Sequence, residues 1–191
     1  MALFRQRYRI EPVRFRGWDY SAAGWYFVTI CTGKQRCFFG DVMDGTMRPS
    51  RIRQIVAEEW LKTEQIRAGV QLDQWVLMPN HLHGIIVLLE GSTLPQAGET
   101  KTFLAMEPPH WGGSTKRSRL KPNSLGAIIG QFKSSCTKRI WVAENRDFSW
   151  HPRFYDHIIR DERSLNNIRA YIVNNPTKWA LDKDNPENLF M

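Results

Sequence analysis

His81 and His83 flank a single leucine at the start of an apolar run, His81 to Leu89. On a strand, residues two apart point to the same face, so both imidazoles project together while Leu82 faces the opposite layer. Two imidazoles on a rigid strand form half of a site for a divalent cation. The plain alternative is two surface histidines, or a pair that only hydrogen-bonds. Further along, Tyr171 and Asn175 stand four residues apart in a helical pattern and hence share a face. The apolar stripe of that helix is Leu165, Ile168 and Ile172, which leaves Tyr171 and Asn175 on its flank, able to look into a cleft between helix and sheet. An asparagine oxygen can complete a cation site that two histidines begin, and at a helix C-terminus the backbone dipole favours positive charge. By spacing alone, the favoured reading of Tyr171 is an ordinary helix-flank aromatic. Tyr155, Asp156 and His157 form a second group of reactive side chains, with Tyr155 a rival nucleophile.

Several elements must position these residues. WYFVTICT, residues 25–32, is a β-branched and aromatic run that predicts a buried central strand. In residues 51–67, Ile52, Ile55, Val56, Trp60 and Leu61 fall at helical spacing and predict an amphipathic helix packed on a sheet. Val70 to Met78 reads as a strand, Pro79-Asn80 as a turn and His81 to Leu89 as the returning strand of a hairpin. Asn123-Ser124 provides a helix N-cap, followed by the stripe Leu125, Ile128, Ile129, Phe132, Cys136 and Ile140. A strand within 148–159 and a helix from Asp161 or Ser164 to Asn175, stopped by Pro176, complete the set. Residues 91–122 are dominated by Gly, Pro, Ser and Thr and predict a long mobile insertion, and the tail 181–191 is polar. The order fits an α+β sandwich of ferredoxin-like or RRM-like layout: one antiparallel sheet with helices packed mainly on one face. Fold alone names no function.

The chain has 191 residues, of which 42% are hydrophobic and 12% aromatic, enough for one real core and too much for wholesale disorder. No stretch approaches the roughly 18 uninterrupted apolar residues of a membrane helix. The arginine-broken start MALFRQRYRIEPVRFRGW lacks a signal-peptide core. Three scattered cysteines (Cys31, Cys37 and Cys136) make neither a disulfide scaffold nor an all-cysteine zinc site. The expectation is a soluble, cytoplasmic, single-domain protein, 1–191, with a basic N-terminal segment 1–20.

Charge is concentrated. The net is +8, yet residues 1–16 hold five arginines and one acid, and residues 114–143 hold seven basic residues and no acid. The remainder is net acidic, so the positive charge forms patches, as a phosphate-binding surface requires. Arg5, Arg7, Arg9, Lys133 and Lys138 are the candidate phosphate contacts, with Tyr155 and His157 as further candidates on the same binding surface. The bland reading of the same charge is a solubilising surface.

Three segments in order, WVLMPNHLHGIIVL, NSLGAIIGQFKS and FYDHIIRDERSLNNIRAYIVNNP, resemble the successive signatures of the REP-associated tyrosine transposases. These are single-tyrosine members of the HUH (His-hydrophobic-His) enzymes that cut and rejoin single-stranded DNA. The resemblance spans roughly residues 24–179, interrupted by the insertion 91–122. It implies the HUH single-strand endonuclease fold. It also implies that His81, His83 and Asn175 are metal ligands and Tyr171 the nucleophile of a Tyr-Ile-x-x-Asn/Gln pattern. The cofactor is then a divalent ion, Mg²⁺ or Mn²⁺. The products are a 5′-phosphotyrosine link and a free 3′-hydroxyl, and the substrate is single-stranded or hairpin DNA of the REP palindrome type. A monomer is expected, with a dimer the alternative, in a bacterial, cytoplasmic and nucleoid-associated setting with no membrane contact. The competing functional reading is a non-catalytic ferredoxin-like nucleic-acid-binding module in which His81 and His83 are structural. A zinc hydrolase ranks last, since neither motif supplies a carboxylate base.

Overall fold

The computed structural model describes residues 17–43, 46–90, 121–143, 145–181 and 185, together with the backbone of two short N-terminal strands, β1 (Leu3–Phe4) and β2 (Tyr8–Arg9). The β-branched and aromatic run forms β3 (Gly24–Cys31), because such side chains suit a pleated, packed surface. The Gly40–Pro49 stretch makes a small separate ribbon that the sequence reading did not anticipate, β4 (Gly40–Met43) paired with β5 (Thr46–Pro49). The expected hairpin is β6 (Val70–Leu77) and β7 (His81–Leu88), closed by a hydrogen bond from Met78 N to His81 O of 2.8 Å. β8 (Tyr155–Ile159) is shorter than the 148–159 span allowed, and Trp150 contributes only a bridge to Thr32. All pairings in the main sheet are antiparallel, in the order β6-β7-β3-β8.

Three helices cover this sheet: α1 (Arg51–Gln65), α2 (Leu125–Val142) and α3 (Glu162–Asn174). Each begins at a side chain that accepts an otherwise orphaned backbone N–H: Ser50 from Arg53, Ser124 from Ala127 and Asp161 from Ser164. α1 and α2 pack together on one sheet face. There Trp60 meets Phe132 edge-on, 5.2 Å between centroids, above Tyr26, Val28, Ile30, Leu82 and Ile86. Each of these large side chains contributes about 1.5–3 kcal/mol by leaving water. Leu61, expected in the α1 stripe, is exposed instead, because it lies one position round the helix from Trp60.

α3 lies on the opposite face, where Ile172 joins Ile85 and Ile159, flanked by Trp25, Phe27, Val76, Leu165 and Ile168. Two of the three helices thus share one face, as expected, and α3 alone covers the other. β7 is buried along its whole length, so both of its sides are covered. Almost all of the predicted insertion and the tail beyond Leu181, apart from Asn185, lie outside the described residues. No helix among the described residues is long and apolar enough to cross a membrane.

Candidate active site

Strand alternation puts His81, His83 and Ile85 on the α3 side of β7. Both histidines are buried, at 0% and 3% exposure, with ring centroids 4.4 Å apart and planes inclined by 65°. Thr29 is the register partner of His83 on β3, and its Oγ1 lies 2.9 Å from His83 Nδ1. His81 Nδ1 donates to Asn80 Oδ1 at 2.8 Å. Both Nδ1 atoms are thus engaged by neighbouring side chains.

α3 brings the phenol to this pair. Tyr171 Oη sits 3.2 Å from His83 Nε2, and the residue as a whole is 43% exposed. Phe27 stacks on His83 at 5.4 Å and meets Tyr171 edge-on at 6.2 Å, a wedge that holds both rings. Two residues before Tyr171, Arg169 grips Asp73 of β6 through Nε (2.8 Å) and a terminal nitrogen (2.6 Å). The carboxyl of Asp73 is held below its ordinary range by that guanidinium.

Asn175 ends α3 with helical dihedrals, and the chain continues as a 3-10 turn, Pro176–Leu181. It stands one turn after Tyr171, which touches His83, and one turn before Trp179, whose ring packs 6.1 Å from that of His81. Asn175 is 2% exposed, and its Oδ1 has no hydrogen-bond partner among the described residues. A buried carbonyl oxygen left so costs about 1–3 kcal/mol, which a bound cation would relieve. No cluster of three or more His, Cys, Asp or Glu occurs among the described residues. A cation here would therefore take two imidazole nitrogens and one amide oxygen, leaving positions open for substrate oxygens. The residues fit such an ion.

The rival Tyr155, on β8, shares this sheet face but is the register partner of Thr29 on β3, which leaves it two strands from His83, roughly 10 Å by the spacing of strands. It is exposed, as is His157, the register partner of Phe27. Lys133 turns inward: its Nζ donates to the carbonyls of His151 (2.8 Å) and Arg153 (2.9 Å), tying α2 to the segment that enters β8. Burial pulls its pKa down to about 8. Lys138 is exposed. Arg5 and Arg7 lie outside the described residues, and of Arg9 only the backbone is described, in β2. Two further basic residues of the 114–143 patch are paired, Lys121 with Asp19 and Arg139 with Glu58 and Glu59. A cleft of about 730 Å³ lined by Lys62, Arg67, Asn123 and Gln131 runs along α1 and α2, the helices that cover the other sheet face from the histidines.

Sequence reasoning passed over Thr29, Asn80, Phe27 and Trp179. Asn80 carried a signal, its place directly before His81, but was read only as a turn residue. The other three are set by register and by the path of the chain after α3.

No protein-family model matches the chain. An uncharacterized protein of Haemophilus influenzae (strain ATCC 51907 / DSM 11121 / KW20 / Rd) is 32% identical over 175 residues, 91% of each chain. A solved structure of the REP-associated tyrosine transposase bound to a REP hairpin aligns with a TM-score of 0.54 at 19% identity. That alignment covers 96% of this chain and 77% of the other. The expected α+β architecture is thus the one this chain adopts. The chain belongs to the same family as the Haemophilus influenzae protein and is built on the fold of the REP-associated tyrosine transposase.

Proposed function

We propose that this protein is a metal-dependent single-stranded DNA endonuclease and strand transferase, a REP-associated tyrosine transposase acting next to hairpin DNA. The observation that carries the reading is the 3.2 Å approach of the Tyr171 hydroxyl to Nε2 of His83, in a buried histidine pair, across 88 residues of sequence. The solved transposase of the same fold was bound to a REP hairpin, which supports a hairpin substrate here.

Tyr171 Oη attacks the scissile phosphorus. The Oη–P bond forms, the bond to the 3′ oxygen breaks, and that oxygen leaves as a hydroxyl once it takes up a proton. The phenol, with an ordinary pKa near ~10, gives up its own proton in the process. A phosphotyrosine ester conserves the phosphodiester's energy, so a DNA hydroxyl can reverse the step without ATP. His81, His83 and Asn175 would hold a divalent ion, Mg²⁺ or Mn²⁺. Bound there, it supplies charge neutralisation and Lewis acidity to the phosphate oxygens. Phe27 restricts the rotation of Tyr171 and so limits the orientations the nucleophile must lose before reaction. Tyr155 and His157 contact the DNA strand where it runs over the open part of the same sheet face. Arg5, Arg7, Arg9 and Lys138 neutralise phosphates, with Lys133 contributing less because its ammonium faces inward. Tyrosine and histidines come from one chain, which supports action as a monomer, in a cytoplasmic, nucleoid-associated setting.

The test is incubation of the full chain with a single-stranded hairpin oligonucleotide and Mn²⁺ or Mg²⁺. A protein–DNA adduct that survives denaturation is expected, lost in Tyr171→Phe and His81→Ala and retained in Tyr155→Phe. Hairpin binding that is metal-independent and never yields an adduct would establish the non-catalytic module instead.

A further inference from the structure

We propose that Asn80 is a positioning residue that fixes the tautomer of His81 and thereby presents its Nε2 to the cation. The inference rests on the metal-site reading above and deepens it. Asn80 is 1% exposed. Its Nδ2 donates to the carbonyl of Gln35 at 3.1 Å, and its backbone carbonyl accepts from Thr32 N at 2.8 Å, so the side-chain amide and the backbone that carries it are both held. Rotating the amide by half a turn would set its oxygen against the Gln35 carbonyl, two acceptors face to face. The observed orientation is therefore the one the surroundings enforce, and it leaves Oδ1 directed at His81 Nδ1, 2.8 Å away.

An amide oxygen can only accept, so the hydrogen of that contact belongs to Nδ1. A neutral imidazole carries one hydrogen, and Nε2 keeps its lone pair, the form a cation ligand requires. His83 differs: its Nδ1 meets the hydroxyl of Thr29, which can donate or accept, so Thr29 orients the ring without dictating the tautomer. The anchor behind Asn80 is itself specialised. Gln35 and the preceding Lys34 both sit at φ 54, a left-handed conformation that non-glycine residues adopt at a cost, and this turn delivers the Gln35 carbonyl to the amide.

The experiment has two readouts on the full chain. Long-range ¹H–¹⁵N spectra of the metal-free protein report which nitrogen of His81 carries the hydrogen, and calorimetry reports affinity for Mn²⁺ alone. The wild type is expected to show the Nδ1–H form. In Asn80→Ala the Nε2–H form gains population and Mn²⁺ affinity falls about 10–100-fold, the usual range for losing such a support. Asn80→Asp still offers an acceptor to Nδ1–H but sets its other oxygen against the Gln35 carbonyl, so it restores the Nδ1–H form and recovers part of that affinity. Hydrogen on Nε2 in the wild type, or unchanged Mn²⁺ affinity in a folded Asn80→Ala, overturns the proposal. A wild type that takes up no Mn²⁺ overturns the metal site itself. A tautomer shift in Asn80→Ala would still support the role of Asn80 in that case.

Discussion

Asp73 on the sheet and Arg169 on α3, 96 residues apart, meet through two parallel hydrogen bonds of 2.8 and 2.6 Å. The pairing is bidentate, so it sets orientation as well as distance. Arg169 also lies over the ring of Trp25, 5.7 Å from its centroid. The clasp falls two residues before Tyr171 and registers α3 on β6, the strand beside β7.

This clasp carries a pH signature. The folded-state pKa of Asp73 is lowered by the Arg169 hydrogen bonds, so its contribution is present above the unfolded value near 3.8 and is lost as pH falls through the lower, folded one. Wild type is expected to unfold at a higher temperature than Asp73→Asn at pH 6, with the gap shrinking below pH 4. Thermal unfolding of both proteins across that range is the measurement, and a gap constant with pH would deny the clasp its electrostatic character.

Asn175 separates a ligand from a structural amide. With no hydrogen bond to lose at Oδ1 among the described residues, metal-free Asn175→Ala should melt close to wild type. Mn²⁺ at 100 times its dissociation constant should stabilise the wild type by about 2.7 kcal/mol. For a chain of this size that is a rise of roughly 5–10 °C. The rise should be largely absent in Asn175→Ala at the same Mn²⁺ concentration, as read by differential scanning calorimetry.

Phe27 should matter for rate more than for metal binding. It touches both His83 and Tyr171, and Phe27→Leu keeps most of its bulk while removing the flat ring that wedges them. The expected outcome is slower adduct formation on hairpin DNA, with Mn²⁺ affinity near that of wild type. Equal rates in single-turnover assays would remove the wedge from the mechanism.

Gly84 is required for space. A Cβ built there would lie 2.6 Å from Cζ2 of Trp60, a ring with no exposed surface. Gly84→Ala forces α1 away from β7 and should cost about 1–3 kcal/mol in denaturant unfolding.

The residues themselves, read in order, determined what is local. The spacing of His81 and His83 puts both imidazoles on one face of any strand. The stripe Leu165, Ile168 and Ile172 puts Tyr171 and Asn175 on one flank of any helix. Ser124 and Pro176 mark helix ends through backbone chemistry that needs no partner elsewhere. Tertiary structure decided what is relative. Spacing leaves two tyrosines open. The β3–β8 register leaves Tyr155 two strands from the histidines, while the docking of α3 puts Tyr171 in contact with one of them. Long-range packing likewise turned Lys133 inward, set Thr29 beside His83 and moved α3 to the face opposite α1 and α2. Periodicity and capping depend on neighbours in the chain, whereas register and docking depend on contacts between segments far apart in sequence, which no window of residues contains.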